Sequence, residues 1–240
     1  MTTLAQQSTE TAPPGPVLDR TLIYIDGAWG PSDGTGRIEV VNPATEQVIG
    51  VVAEGTASDV DRAVRAARAA LPAWSALPAA QRADLLQAVA ARLVERTEEI
   101  ALLMSRDVGT PVEIAKAVQL GLPTFNFAHY AELARTLGDQ EATVGNSLIV
   151  REPVGVVACI TPWNFPMHQV ALKAAAAMAA GCTVVVKPSE VAPLGIWALT
   201  EILHEVGFPA GVFNLVSGYG GVVGEALVDH DDVDMVSFTG

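Results

Sequence analysis

The sequence predicts an α/β fold built on a parallel sheet covered by helices. Three observations predict it. After residue 154, short apolar strands alternate with helical stretches. The strands are continuous apolar runs rather than half-polar ones, as a sheet buried on both faces requires. Turn-forming Pro, Gly, Asn and Ser cluster where each run ends.

Taken in order, residues 1–18 read as a disordered tail, because 1–16 are polar and proline-rich without an apolar core. Leu22–Ile25, Asp26-Gly27 and Ala28-Trp29 form strand, turn and strand; Arg37–Val41 and Val48–Val52 repeat that pattern around Asn42-Pro43-Ala44-Thr45. Ser58 is placed to cap a helix reaching about Ala70, with Val60, Val64 and Ala67 on one face. Beyond Pro72 and Pro78, Leu86, Val89, Leu93, Ile100 and Leu103 mark one or two further helices. Pro111 opens another, and Gly138 stops it. A strand-like run, Ser147–Val150, follows. Strands at Val154–Ile160, Thr183–Val186, Gly211–Val216 and Val233–Phe238 then alternate with helices over about 166–180, 193–206 and 222–228. Ile196, Leu199, Leu203 and Val206 have the 3, 4, 3 spacing of one helical face. No internal sequence repeat and no low-complexity tract accompanies this rhythm.

Composition narrows the function. In 240 residues, 50% are hydrophobic and only 5% aromatic, so the core is mainly Ala, Val and Leu. A formal charge of −13, from 27 acidic and 14 basic residues, argues against nucleic acid as a partner. Arg62, Arg65 and Arg68 have helical spacing and read as a solvated face. The uncharged stretches 153–172 and 206–224 hold three prolines and six glycines respectively, which argues against a membrane span. Cys159 and Cys182 lack motif spacing and lie in or beside apolar strands. They are expected to be reduced, buried thiols of a cytoplasmic protein. His129, His168, His204 and His230 share no ligand spacing, so no metal is expected, and no Ser sits in a nucleophile elbow.

Chemistry could collect where the strands end. Thr161-Pro162-Trp163-Asn164-Phe165-Pro166 follows the first parallel strand, where open α/β sheets place ligands; it is either a functional loop or a Pro-Asn-Pro turn with a gap-filling Trp. Lys187-Pro188-Ser189-Glu190 follows the second. Its Lys and Glu could grip a vicinal diol, donating to and accepting from the hydroxyls, or could form a surface ion pair. Gly218-Tyr219-Gly220-Gly221-Val222-Val223-Gly224 follows the third. It is one residue longer than the G-x-G-x-x-G dinucleotide pattern and fits tight helix–strand packing equally well. The fourth strand ends in Ser237-Phe238-Thr239-Gly240.

Taken together, these segments resemble the aldehyde dehydrogenase superfamily, from about residue 20 to 240. The resemblance also rests on Lys173, Ala179-Ala180-Gly181, Pro193-Leu194 and Gly207–Asn214, and on Asn42–Thr45 and Ala73-Trp74-Ser75. It implies a Rossmann-like domain formed by 19–139 and 154–240, and a protruding oligomerisation hairpin over 140–153 for a homodimer or tetramer. The activity implied is oxidation of a small-molecule aldehyde to a carboxylic acid through a cysteine thiolate, with NAD, and less readily NADP, as cofactor.

Residue by residue, Asn164 matches the oxyanion donor and Phe165 a wall of the aldehyde tunnel. Ile160, Thr161, Pro162, Trp163, Lys187, Ser189, Glu190, Gly220, Gly224, Phe238, Thr239 and Gly240 match the cofactor cleft, with Lys187 and Glu190 on the adenosine ribose. A carboxylate at Glu190 would repel a ribose 2′-phosphate. Ala176 and Cys182 depart from the pattern, which usually has Pro and Asn there. The family's nucleophilic Cys and general-base Glu lie downstream of the segment matching Ser237–Gly240. The chain is therefore expected to be the amino-terminal half, without the catalytic domain, inactive alone and marginally folded or prone to aggregate. The alternative is a non-catalytic NAD-binding or subunit-association module.

Overall fold

The computed structural model describes residues 16–137 and 142–240. Its strands are β1 (Leu18–Arg20), β2 (Leu22–Ile25), β3 (Ala28–Pro31), β4 (Arg37–Val41), β5 (Val48–Ala53), β6 (Ala142–Val144), β7 (Ser147–Ile149), β8 (Val156–Ile160), β9 (Thr183–Lys187), β10 (Phe213–Leu215) and β11 (Met235–Phe238). Its helices are α1 (Ala57–Ala76), α2 (Ala79–Glu95), α3 (Thr97–Val108), α4 (Val112–Ile114), α5 (Gly121–Leu137), α6 (Pro166–Ala179), α7 (Leu194–Val206) and α8 (Glu225–Val228).

The main sheet runs β11-β8-β9-β10-β2-β3. Its first four strands are parallel, as the apolar runs predict. The amino-terminal hairpin is no separate unit: β2 pairs antiparallel with β10 and extends the sheet by two strands. Side-chain alternation assigns the two faces. Val156, Ala158 and Ile160 of β8 pack with Val60, Val64 and Ala67 of α1. Val157 and Cys159 instead face the larger core formed with α2, α3, α5, α6 and α7. Both faces are thus dry, which is why β8 and β9 carry no polar alternation. A smaller sheet, β1-β5-β4, and the hairpin β6-β7 complete the strands.

Several boundaries differ from expectation. Leu18 already begins β1, pairing with Gly50; residues 1–15 of the expected tail and Gly138 lie outside the described residues. Helix α1 is capped by Thr56, not Ser58. The Thr56 hydroxyl accepts from Asp59 N–H while the Asp59 carboxylate accepts from Thr56 N–H, a reciprocal box in which Asp replaces the usual Glu. The helix also passes through Pro72, because its last turn buries Trp74 against Phe208, with ring centroids 5.8 Å apart. That burial outweighs the one hydrogen bond proline removes. Arg68 is not merely solvated. It donates to Asp234, whose carboxylate also accepts from Val156 N–H, tying α1 to the start of β8. Gly155 is required there: its φ is +126°, and an added Cβ would lie 1.9 Å from the Asp234 carboxylate.

Candidate cofactor cleft

The chain runs β8, β9, β10 outward in one direction, then returns to place β11 on the other side of β8. The strand order therefore reverses between β8 and β11, and such a switch point leaves a crevice outside the carboxyl ends of the strands. A cleft of about 410 Å³ lies there. Its walls are Ile160, Thr161, Pro162, Trp163, Asn164 and Phe165 after β8, Lys187, Ser189 and Glu190 after β9, Gly220 after β10, and Phe238, Thr239 and Gly240 after β11. The sequence-derived residues thus meet in one place, with one exception. Gly224 does not line the cleft; it is buried behind, where an added Cβ would sit 4.0 Å from Lys187 Cδ. A larger hollow of about 510 Å³ between α5 and α6 is walled mainly by alanines, Leu133 and Tyr130, and holds none of these groups.

Lys187 is the last residue of β9, and only 3% of its side chain is exposed. Its ammonium donates to Pro188 O at 2.7 Å and to Glu190 Oε2 at 3.1 Å, leaving one of its three donors unassigned. Burial pushes its pKa down, and Glu190 opposes that. Glu190 is more open, at 30%. Beside the pair, the Thr161 hydroxyl is buried without a partner. The glycines after β10 have different work. Gly218 sits at φ +140°, where an added Cβ would lie 2.5 Å from Val223 and 3.2 Å from the Gly55 backbone, so it is there for packing. Gly220 and Gly221 face open space, and at Gly220 the bare main chain borders the cleft.

Asn164 is exposed, and its side-chain orientation is fixed locally: Phe165 N–H donates to its Oδ1 at 3.0 Å. Because that oxygen is occupied, the amide NH₂ is the end free to donate. On the β11 side, Lys173 of α6 donates to Thr239 Oγ1 at 2.7 Å and holds the cleft's far wall. Neither cysteine faces the cleft as a nucleophile. Both are buried, and burial pushes the Cys159 thiol up to about 12, which suppresses its thiolate.

The chain matches the aldehyde dehydrogenase family over residues 29–240. It belongs to that family. A 3-succinoylsemialdehyde-pyridine dehydrogenase from a Pseudomonas species is 46% identical over 227 residues, covering 92% of this chain and 46% of its own length. A peroxisomal aminoaldehyde dehydrogenase 1 from Malus domestica is 42% identical over 231 residues. Among solved structures, a mutant of Pseudomonas syringae aldehyde dehydrogenase C in complex with NAD+ and octanal superposes with a TM-score of 0.88 at 44% identity, covering 90% of this chain and 44% of that one. An NAD+ complex of a Bacillus cereus aldehyde dehydrogenase gives 0.88 at 37% identity, covering 92% and 46%. This family member spans about half the length of the curated relatives it matches.

The cleft also contains Gln169, on the first turn of α6. A glutamine at a helix start after Pro166 is a weak sequence signal for it. No helix among the described residues is long and apolar enough to cross a membrane.

Proposed function

We propose that this chain supplies the NAD-binding cleft and the oxyanion donor of an enzyme that oxidises an aldehyde to a carboxylic acid. The observation that carries the reading is the meeting of Lys187–Glu190 and Asn164 in one crevice at the β8–β11 switch point. The donor set fits the cofactor. A buried ammonium and a half-open carboxylate match the needs of a ribose diol, which both accepts and donates. The Thr161 hydroxyl and the open main chain at Gly220 add polar groups without bulk.

In this reading Lys187 and Glu190 hold the adenosine ribose, and the Glu190 carboxylate disfavours a 2′-phosphate, which favours NAD over NADP. Bound NAD+ supplies the hydride acceptor. The Asn164 amide donates to the aldehyde oxygen as negative charge develops on it, and donors of this kind are worth about 3–4 kcal/mol. Phe165 stands beside Asn164 as the apolar wall for the aldehyde's substituent. Thiolate and base are assigned to the part of the family that these 240 residues do not match. Calorimetric titration with NAD+ tests the reading: saturable binding that Lys187→Ala weakens at least tenfold supports it, and no binding to the folded chain overturns it.

A further inference from the structure

One contact to the Asn164 loop comes from outside the cleft wall. Between α4 and α5 the chain forms a wide, π-helical turn over Ala115–Leu120, and such turns often mark functional positions. On it sits Gln119, only 1% exposed. Its Nε2 donates to the Asn164 backbone carbonyl at 3.0 Å and to Thr110 Oγ1 at 3.3 Å. The amide orientation is fixed by chemistry, since a carbonyl can only accept and the reversed amide would set oxygen against oxygen. Its Oε1 is left buried without a partner. An orphaned buried acceptor is costly, so apolar packing alone would be better served by Leu or Met.

We propose that Gln119 is a positioning residue for Asn164. The main chain of Asn164 is held by Gln119, while its side chain is held by Phe165 N–H. These two restraints occupy the main-chain carbonyl and the side-chain oxygen of Asn164, leaving the side-chain NH₂ as a preorganised donor. With the main chain of this exposed loop released, the Phe165 N–H bond would hold the Asn164 side chain on a moving base, and its aim would be lost. The wide turn matters because Gln119 sits on it, so the backbone register there decides whether its amide reaches the loop. This inference rests on the assignment of Asn164 as the oxyanion donor, yet its structural half is measurable without aldehyde or cofactor.

The test is amide exchange and side-chain NH₂ resonances by NMR on the 240-residue chain, comparing the parent with Gln119→Met and Thr110→Val. Gln119→Met keeps the volume and removes the donor. The expected result is Phe165 amide exchange about tenfold faster and a shifted Asn164 NH₂ pair, with β8 amides Val157–Ile160 unchanged. Thr110→Val, which leaves the bond to Asn164 in place, is expected to move the same signals in the same direction by less, and it carries the test if Gln119→Met does not fold. Unchanged Phe165 and Asn164 signals in the folded variants overturn the proposal, as does a uniform change across β8 and the loop, which marks a purely structural residue. If the signals move as expected but Asn164→Ala leaves the rate of aldehyde oxidation intact in an enzyme that joins this chain to the family's thiolate and base, the positioning stands and the oxyanion assignment falls.

Discussion

Lys187 Nζ lies 3.1 Å from Glu190 Oε2, the ammonium almost wholly buried and the carboxylate facing the cleft. The pair is not a surface salt bridge of negligible worth, because the lysine has already been desolvated by the fold. A cation buried at the mouth of a ligand crevice, with a spare donor, is poised for an oxygen-rich partner.

Removing Glu190's charge therefore has a selective effect. Glu190→Gln keeps an acceptor for a hydroxyl but no longer repels phosphate. NAD+ affinity is expected to fall a few-fold while NADP+ affinity rises, narrowing the ratio by about tenfold, and parallel calorimetric titrations measure both. An unchanged ratio contradicts the assignment.

Asn164→Ala removes the proposed oxyanion donor and nothing proposed to hold the ribose. In an enzyme that joins this chain to the family's thiolate and base, steady-state aldehyde oxidation is expected to lose about 10²–10³-fold in kcat, with NAD+ affinity of the chain within twofold of the parent.

The capping box predicts a contrast between neighbouring residues. Thr56→Ala removes both the hydroxyl that accepts from Asp59 N–H and one donor to the buried Asp59 carboxylate. It is expected to cost about 1 kcal/mol. Ser58 is exposed and donates to Asp33, itself on the surface. Ser58→Ala is expected to stay within about 0.5 kcal/mol. Urea unfolding of the two variants separates them.

Much of the architecture is legible in the sequence because β8, β9 and the helices around them obey one rule, apolar burial with a fixed period. The exceptions are set by partners distant in sequence. Pro72 reads as a helix end, yet Trp74 finds Phe208 and the helix continues. Leu22–Ile25 reads as a local hairpin strand, and only β10 makes it part of the main sheet. At the site, Asn164, Lys187 and Glu190 are visible because each follows a strand end. Gln119 is not: a lone glutamine in a helical stretch signals nothing until the Asn164 carbonyl is placed beside it. Gly224 looks like Gly220 in sequence but faces Lys187 from behind.

Asp107 gives the fold a pH dependence. It is buried on α3 and accepts from Gly195 N–H at the start of α7. Burial pushes its pKa from 3.8 up to about 7, against the opposing pull of the Gly195 and Leu194 N–H groups. Between about pH 4 and pH 7 the folded chain keeps a proton that the unfolded chain has released. Its contribution is therefore full below that window and declines as pH rises through it. Asp107→Asn removes the titration. Thermal melts from pH 4.5 to 8 are expected to show the parent losing ground to the variant as pH rises; parallel curves contradict this.

The most direct measurement of the central claim is a crystal structure of the chain grown with NAD+. The account predicts the adenosine ribose hydroxyls within hydrogen-bond distance of Lys187 Nζ and the Glu190 carboxylate, with the cofactor running past Trp163 in the β8–β11 crevice. Cofactor density elsewhere, such as the hollow between α5 and α6, or a crevice left empty at saturating NAD+, would contradict it.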